Sequence, residues 1–101
     1  MQLRKLWEVE GEVMKTAIYK YEVGQGFNTM MPSGAEILKF GMQKNKPMVW
    51  AKVRLEEAPL SKRRLRVVGT GATLNGEYKY HGTCFDGPWV WHLIEEEGLA
   101  E

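Results

Sequence analysis

The side chains in this chain best suited to chemistry are cations beside an aromatic ring. Trp50, Lys52 and Arg54 alternate along one basic run, and Arg64 and Arg66 do the same along the next. If the two runs pair as a hairpin centred near Pro59, Val53 faces Leu65 and Ala51 faces Val67 on an apolar side. The other side then sets Arg54 against Arg64, Lys52 against Arg66 and Trp50 against Val68. Like charges directly opposite on a sheet cost up to about 1 kcal/mol per pair. Three arrangements relieve them: a well-solvated face, acids interleaved from a neighbouring strand, or a bound anion. Guanidinium groups meet phosphate oxygens through two parallel hydrogen bonds. A Trp ring gives a base a stacking platform worth about 1–3 kcal/mol. The charge distribution bears on the choice. Residues 39–66 carry nine basic and two acidic side chains, a surplus of +7, whereas residues 77–101 carry six acids and one lysine. Such asymmetry marks either an anion-binding region or basic and acidic strands that neutralise each other.

His81 and His92, the two histidines, are secondary candidates. The hairpin register derived below sets them opposite each other. Two imidazoles across a ladder fall short of the three protein ligands usual in a catalytic zinc site, so no metal is expected. Gly69-Thr70-Gly71 lacks the Gly-Lys-Ser/Thr ending of a phosphate loop and reads as a turn whose backbone amides form at most a small anion nest. No cofactor is expected. Ser33 and Ser61 sit in turns without a histidine nearby in sequence, Cys84 is predicted to point inward, and Asp86 has a turn to make. No catalytic residue is assigned, and an enzyme is the less favoured class.

The elements that position these residues have a period of two. Tyr19, Tyr21 and Val23 alternate with Lys20 and Glu22. Leu38, Phe40 and Met42 form another such face, as do Val49, Ala51, Val53 and Leu55. Gly24, Gly26, Pro32-Ser33-Gly34, Lys44-Asn45, Pro59, Gly69-Thr70-Gly71 and Asn75-Gly76 interrupt them. Two further strands, 77–85 and 89–96, flank Asp86-Gly87, a pair suited to a type I′ turn. That turn sets Cys84 against Trp89, Gly82 against Trp91, Tyr80 against Leu93 and His81 against His92. Six to seven short strands at this spacing predict an all-β, single-domain antiparallel sandwich or small barrel.

Residues 1–13 fit this pattern poorly. Leu3, Leu6 or Trp7, and Met14 would line one side of a helix, but Gly11 interrupts it. Translation is expected to begin at Met14, with 1–13 a non-native or loosely ordered extension and 14–101 one β-rich domain.

The 101 residues hold 14 basic and 13 acidic side chains, with 44% hydrophobic and 27% charged residues. This is the mix of an ordinary globule, and bulk charge names no partner. No apolar run approaches the roughly 18 residues of a membrane helix, and the charged start is not a secretory signal. A lone cysteine cannot form an internal disulfide, which points to the cytoplasm. Eleven aromatics on a small β-domain with edge strands predict a homo-oligomer.

Several runs occur in an order that resembles a family of short phage and prophage proteins: Ile18-Tyr19-Lys20-Tyr21, the stretch MPSGAEIL from Met31, the stretch PMVWAKV from Pro47, Gly69-Thr70-Gly71, Tyr80-His81-Gly82-Thr83 and Val90-Trp91-His92-Leu93. The likeness spans about residues 17–95. It implies phage origin and a compact β-rich domain, and it transfers no functional residue. With that origin, the expected role is non-catalytic binding in the infected host cell, as a counter-defence protein that sequesters a phosphate-bearing ligand such as a nucleotide signal. The expected binding residues are Trp50, Lys52, Arg54, Arg64 and Arg66. Two alternatives stand beside it: an inhibitor or accessory factor acting on a host or phage protein, and a single-stranded nucleic-acid binder.

Overall fold

The computed structural model describes residues 8–9, 12–56 and 58–97. Every regular element among them is a strand. In chain order these are β1 (Glu8–Val9), β2 (Glu12–Val13), β3 (Thr16–Glu22), β4 (Thr29–Pro32), β5 (Glu36–Gln43), β6 (Lys46–Arg54), β7 (Leu60–Arg63), β8 (Leu65–Gly69), β9 (Tyr78–Asp86) and β10 (Trp89–Glu96). They form two three-stranded sheets, β3-β6-β5 and β8-β10-β9, and two two-stranded ladders, β4-β7 and β1-β2, all antiparallel. The all-β expectation holds, with more strands than the six or seven foreseen. Apart from the β1-β2 pair, the extension lies outside the described residues.

The period of two explains the core. On β6 it turns Val49, Ala51 and Val53 inward, and on β8 it does the same for Leu65 and Val67. With Leu93, Phe40, Met31 and Val23 these residues form one buried cluster shared by both sheets. β9 lies against β5 where Gly82 leaves room: a Cβ there would sit 3.9 Å from the Cβ of Phe40. A parallel bridge between Gly24 and Arg66, with the Val67 N–H donating to the Gly24 carbonyl at 3.1 Å, ties the segment after β3 to the other sheet.

Two registers differ from those read in the sequence. First, β6 and β8 do not form a hairpin: β6 lies between β3 and β5, whereas β8 pairs with β10. The chain between them forms β7, which pairs with β4 and carries the chain from one sheet to the other. Val53, Ala51, Leu65 and Val67 are all buried, as expected. They meet across the core rather than side by side. Second, in the last hairpin Asp86 pairs with Trp89, which leaves Gly87-Pro88 as the turn. Gly87 has φ 58°, the arrangement of a II′ turn, whose first residue needs positive φ and whose second accepts the fixed negative φ of proline. Trp91 therefore faces Cys84, not Gly82. A bulge between Leu93 and Ile94 then leaves His81 unpaired, with Tyr80 opposite Ile94. His81 and His92 consequently point to different sides.

Candidate functional site

The outer side of β8-β10-β9 carries an open cleft of about 230 Å³. Val68, His92, Ile94 and Tyr80 reach it from the three strands, and the loop from Thr70 to Leu74 closes one wall. The register explains their convergence, because Val68 is the ladder partner of His92, and the bulge turns Tyr80 to the side of Ile94. Ile94 forms a nearly covered apolar floor, 3% exposed, whereas Tyr78 and Tyr80 remain accessible at the rim.

His92 is fixed through both ring nitrogens. Thr70 Oγ1 lies 2.7 Å from Nε2, while Tyr80 OH at 2.8 Å and Thr83 Oγ1 at 3.1 Å approach Nδ1. Tyr80 OH also contacts Thr83 Oγ1. Hydroxyls donate or accept, so the network is satisfied in either imidazole tautomer. The Tyr80 and His92 rings are tilted by 47° with centroids 5.9 Å apart. Hydroxyls, an imidazole edge and accessible tyrosine faces above an apolar floor suit a flat ligand with a hydrogen-bonding rim. The Ala72 N–H is already taken by the Gly69 carbonyl at 3.1 Å, so this turn offers one amide fewer to an anion than its sequence promised.

His81 belongs to a separate, mostly buried network. Its Nε2 lies 2.8 Å from Glu95 Oε1, and Arg63 holds both carboxylate oxygens of Glu95, with Nη2 donating to Oε1 at 2.9 Å and Nε to Oε2. Arg63 Nη1 also donates to the Ala35 carbonyl at 3.0 Å. Hydrogen bonds from Arg63, opposed by burial and helped by His81, hold the Glu95 carboxyl down at about 2. The network locks β7 and β9 onto β10, which is a structural role.

The four cations and the Trp50 ring expected to form one face are divided between the two halves of the fold. Trp50, Lys52 and Arg54 lie on the outer side of β6, where Lys52 meets Glu36 at 3.2 Å and Arg54 meets Glu56 at 3.3 Å. Trp50 is flanked in register by Lys20 on β3 and Lys39 on β5. Arg66 lies on β8 of the other sheet, Arg64 just before it between β7 and β8, and they share Glu96, at 4.0 Å from Arg64 and 3.2 Å from Arg66. Arg66 also donates to the Phe27 carbonyl and to Asn28 Oδ1. The like-charge pairs drawn from the sequence are therefore absent, and carboxylates of the same chain neutralise most of these groups. Arg66 is nonetheless the ladder partner of Ile94, the cleft floor. This places Arg66 beside the cleft without lining it, and Arg64 shares its carboxylate, Glu96.

Thr70, Tyr78, Tyr80 and Thr83 were not singled out from the sequence as binding residues. Gly69-Thr70-Gly71 was the signal for the loop, but the bulge that turns Tyr80 has no local signature. Cys84 is buried, and burial, with Asp86 nearby, pushes its thiol above the ordinary range. Among the described residues no three His, Cys, Asp or Glu side chains cluster as metal ligands, and no helix is long and apolar enough to cross a membrane.

Comparison with known protein families places the fold and cleft in context. A family described as a domain of unknown function (DUF7352) matches residues 14–101. The chain belongs to that family. Comparisons with curated proteins and with solved structures each give no match. The family match covers every residue of the cleft and both sheets.

Proposed function

We propose that this DUF7352 protein is a non-catalytic binding domain of phage origin, acting in the cytoplasm of the infected cell. Its cleft on β8-β10-β9 takes the flat part of a phosphate-bearing small ligand such as a nucleotide signal, which it sequesters from host defence. The observation that carries this reading is the cleft itself. Thr70, Tyr80 and His92 supply a fixed polar rim over the apolar floor of Ile94, and Arg66, the ladder partner of Ile94, lies beside it and shares the Glu96 carboxylate with Arg64. A volume of about 230 Å³ accommodates a ring system, while the sugar and phosphate lie over the surface towards β8. Phosphate then competes with Glu96 for Arg64, the more exposed and more distant of the two arginines. The likeness to short phage and prophage proteins supports the origin.

The test is thermal stabilisation by a broad nucleotide panel, including cyclic and ADP-ribose-like members. A ligand at a hundred times its Kd adds about 2.7 kcal/mol, or roughly 10 °C or more in a domain of this size. One chemical class should raise Tm in the native protein. Arg64→Glu should remove that rise and leave the unliganded Tm within a few degrees. A panel with no stabilising member refutes the proposal.

A second reading, docking to a host or phage protein, draws on the β9-β10 hairpin. Phe85 and Trp89 are 76% and 61% exposed, and Trp89 stacks on Trp91 with centroids 6.3 Å apart. Trp91 lines an apolar groove with Met42 and Pro47. This mode should tolerate salt, whereas phosphate capture weakens with it.

A further inference from the structure

β3 is the outermost strand of its sheet. Among the described residues its ladder partner is β6 alone. Its backbone polarity follows from the bonds at its two ends. The Val23 N–H donates to the Pro47 carbonyl at 3.1 Å, and the Lys15 carbonyl accepts from the Leu55 N–H at 2.9 Å. Odd-numbered residues therefore bond towards β6. In an antiparallel ladder the direction alternates residue by residue, so Thr16, Ile18, Lys20 and Glu22 point their N–H and C=O groups away from the sheet. Thr29 Oγ1 donates to the Glu22 carbonyl at 3.2 Å, so among the described residues the row of unpaired backbone donors and acceptors runs from Thr16 to Lys20.

Natural edges are usually protected by proline, by a bulge, by a charge pointing inward or by lysines along the edge. Of these β3 has only the outward charges of Lys20 and Glu22. It contains no proline, its ladder with β6 is regular from Thr16 to Glu22, and its inward positions are Ala17, Tyr19 and Tyr21. Ile18 and Tyr19 are 62% and 48% exposed, which is unusual for apolar side chains in mid-strand.

We propose that β3 pairs antiparallel with β3 of a second copy, about a two-fold axis through Tyr19, to give a continuous six-stranded sheet. A two-fold perpendicular to the sheet keeps inward residues opposite inward residues, so the paired numbers must have an even sum. Centring on Tyr19 sets Tyr19 against its counterpart and small Ala17 against large Tyr21. On the outer side it sets Ile18 against Lys20 and Thr16 against Glu22, with no like charges opposed. Centring on Lys20 would oppose two lysines, and centring on Ile18 would set Lys15 against Tyr21. The chosen register covers both exposed apolar residues. It also joins the outer faces bearing Trp50, Lys39 and Lys52 into one surface. This pairing is independent of any ligand in the cleft.

The Tyr19 pair falls between hydrogen-bonded pairs, where Cα atoms approach to about 4.5 Å, a separation a disulfide spans. Three measurements test the proposal on the full chain. Sedimentation velocity over a wide concentration range should show native protein as a dimer or an even-numbered assembly, and Tyr19→Lys should halve its mass. Ile18→Pro removes only an outward N–H, and should halve the mass while leaving the far-ultraviolet circular dichroism unchanged. In a Cys84→Ala background, Tyr19→Cys should cross-link to a covalent dimer on mild oxidation, ahead of Thr16→Cys. Native protein that stays monomeric at every concentration overturns the pairing. So does an assembly whose mass survives both Tyr19→Lys and Ile18→Pro.

Discussion

Replacing Glu95 with glutamine tests the packing logic that positions the cleft. Glu95 follows Ile94, the cleft floor, and its carboxylate joins Arg63 of β7 to His81 of β9. Its side chain is 19% exposed, and those of Arg63 and His81 are 17% and 8% exposed. Hydrogen bonding to Arg63 is the largest cause of the fall in its pKa from 4.5 to about 2. At about 1.36 kcal/mol per pH unit, ionisation of this one group contributes about 3 kcal/mol of folding stability at neutral pH. The sign follows from the lowered folded value. The contribution is complete above pH 4.5 and is lost as pH falls towards 2. A neutral glutamine amide imitates the protonated acid, so Glu95→Gln should cost about 3 kcal/mol at pH 7 and about 1 kcal/mol at pH 3. Urea titrations of both proteins at pH 7, 5 and 3 measure the difference. Carboxylates elsewhere titrate equally in the two chains and cancel. In thermal melts at pH 7 the same loss lowers Tm by roughly 10–20 °C. A difference below about 1 kcal/mol at pH 7, or one that does not shrink between pH 5 and pH 3, would refute the reasoning.

The core and the thiol give two further expectations. Leu93→Ala, at a site with no exposure in the shared core, should cost about 2–5 kcal/mol in urea unfolding, whereas Leu60→Ala, at a site 66% exposed on β7, should change stability by less than about 0.5 kcal/mol. Equal effects would mean the two sheets do not share this core. Burial of Cys84 and its raised pKa should make reaction of the folded protein with a disulfide reagent at pH 7 at least about tenfold slower than that of the urea-unfolded chain. A fast stoichiometric reaction in the native state would contradict the inward placement.

Most strand positions and inward faces were legible in the sequence because they depend on local alternation, but β7 was read as a loop, and Leu38 and Leu55, read onto inward faces, are exposed: a bulge between Ile37 and Lys39 shifts the alternation on β5, and β6 ends before Leu55. Val49, Ala51, Val53, Leu65, Val67 and Cys84 are all buried, as their spacing required. Pairing was not legible, because two apolar faces match equally well as neighbours in one sheet or as facing layers. The local hairpin joining β6 to β8 was the simpler choice, and β7 rules it out by pairing with β4 far away in sequence. The cationic face expected at Trp50, Lys52, Arg54, Arg64 and Arg66 depended on that hairpin and was divided with it. The last hairpin was placed correctly, but its turn moved one residue because Pro88 sits within it. The cleft depends on a bulge at His81 and on a loop folding back over β10. Both are set by tertiary packing, so the site had only the Gly-Thr-Gly turn as its trace.

The proposed ligand would settle over His92. Backbone and imidazole nuclear magnetic resonance shifts, followed while the best stabilising nucleotide is titrated into the native protein, test it most directly. A ligand held there should produce the largest changes at Thr70, Gly71, Tyr80, His92 and Ile94, with smaller ones at Arg64 and Arg66. Changes confined to Trp50, Lys52 and Arg54, or to Phe85 and Trp89, would contradict it.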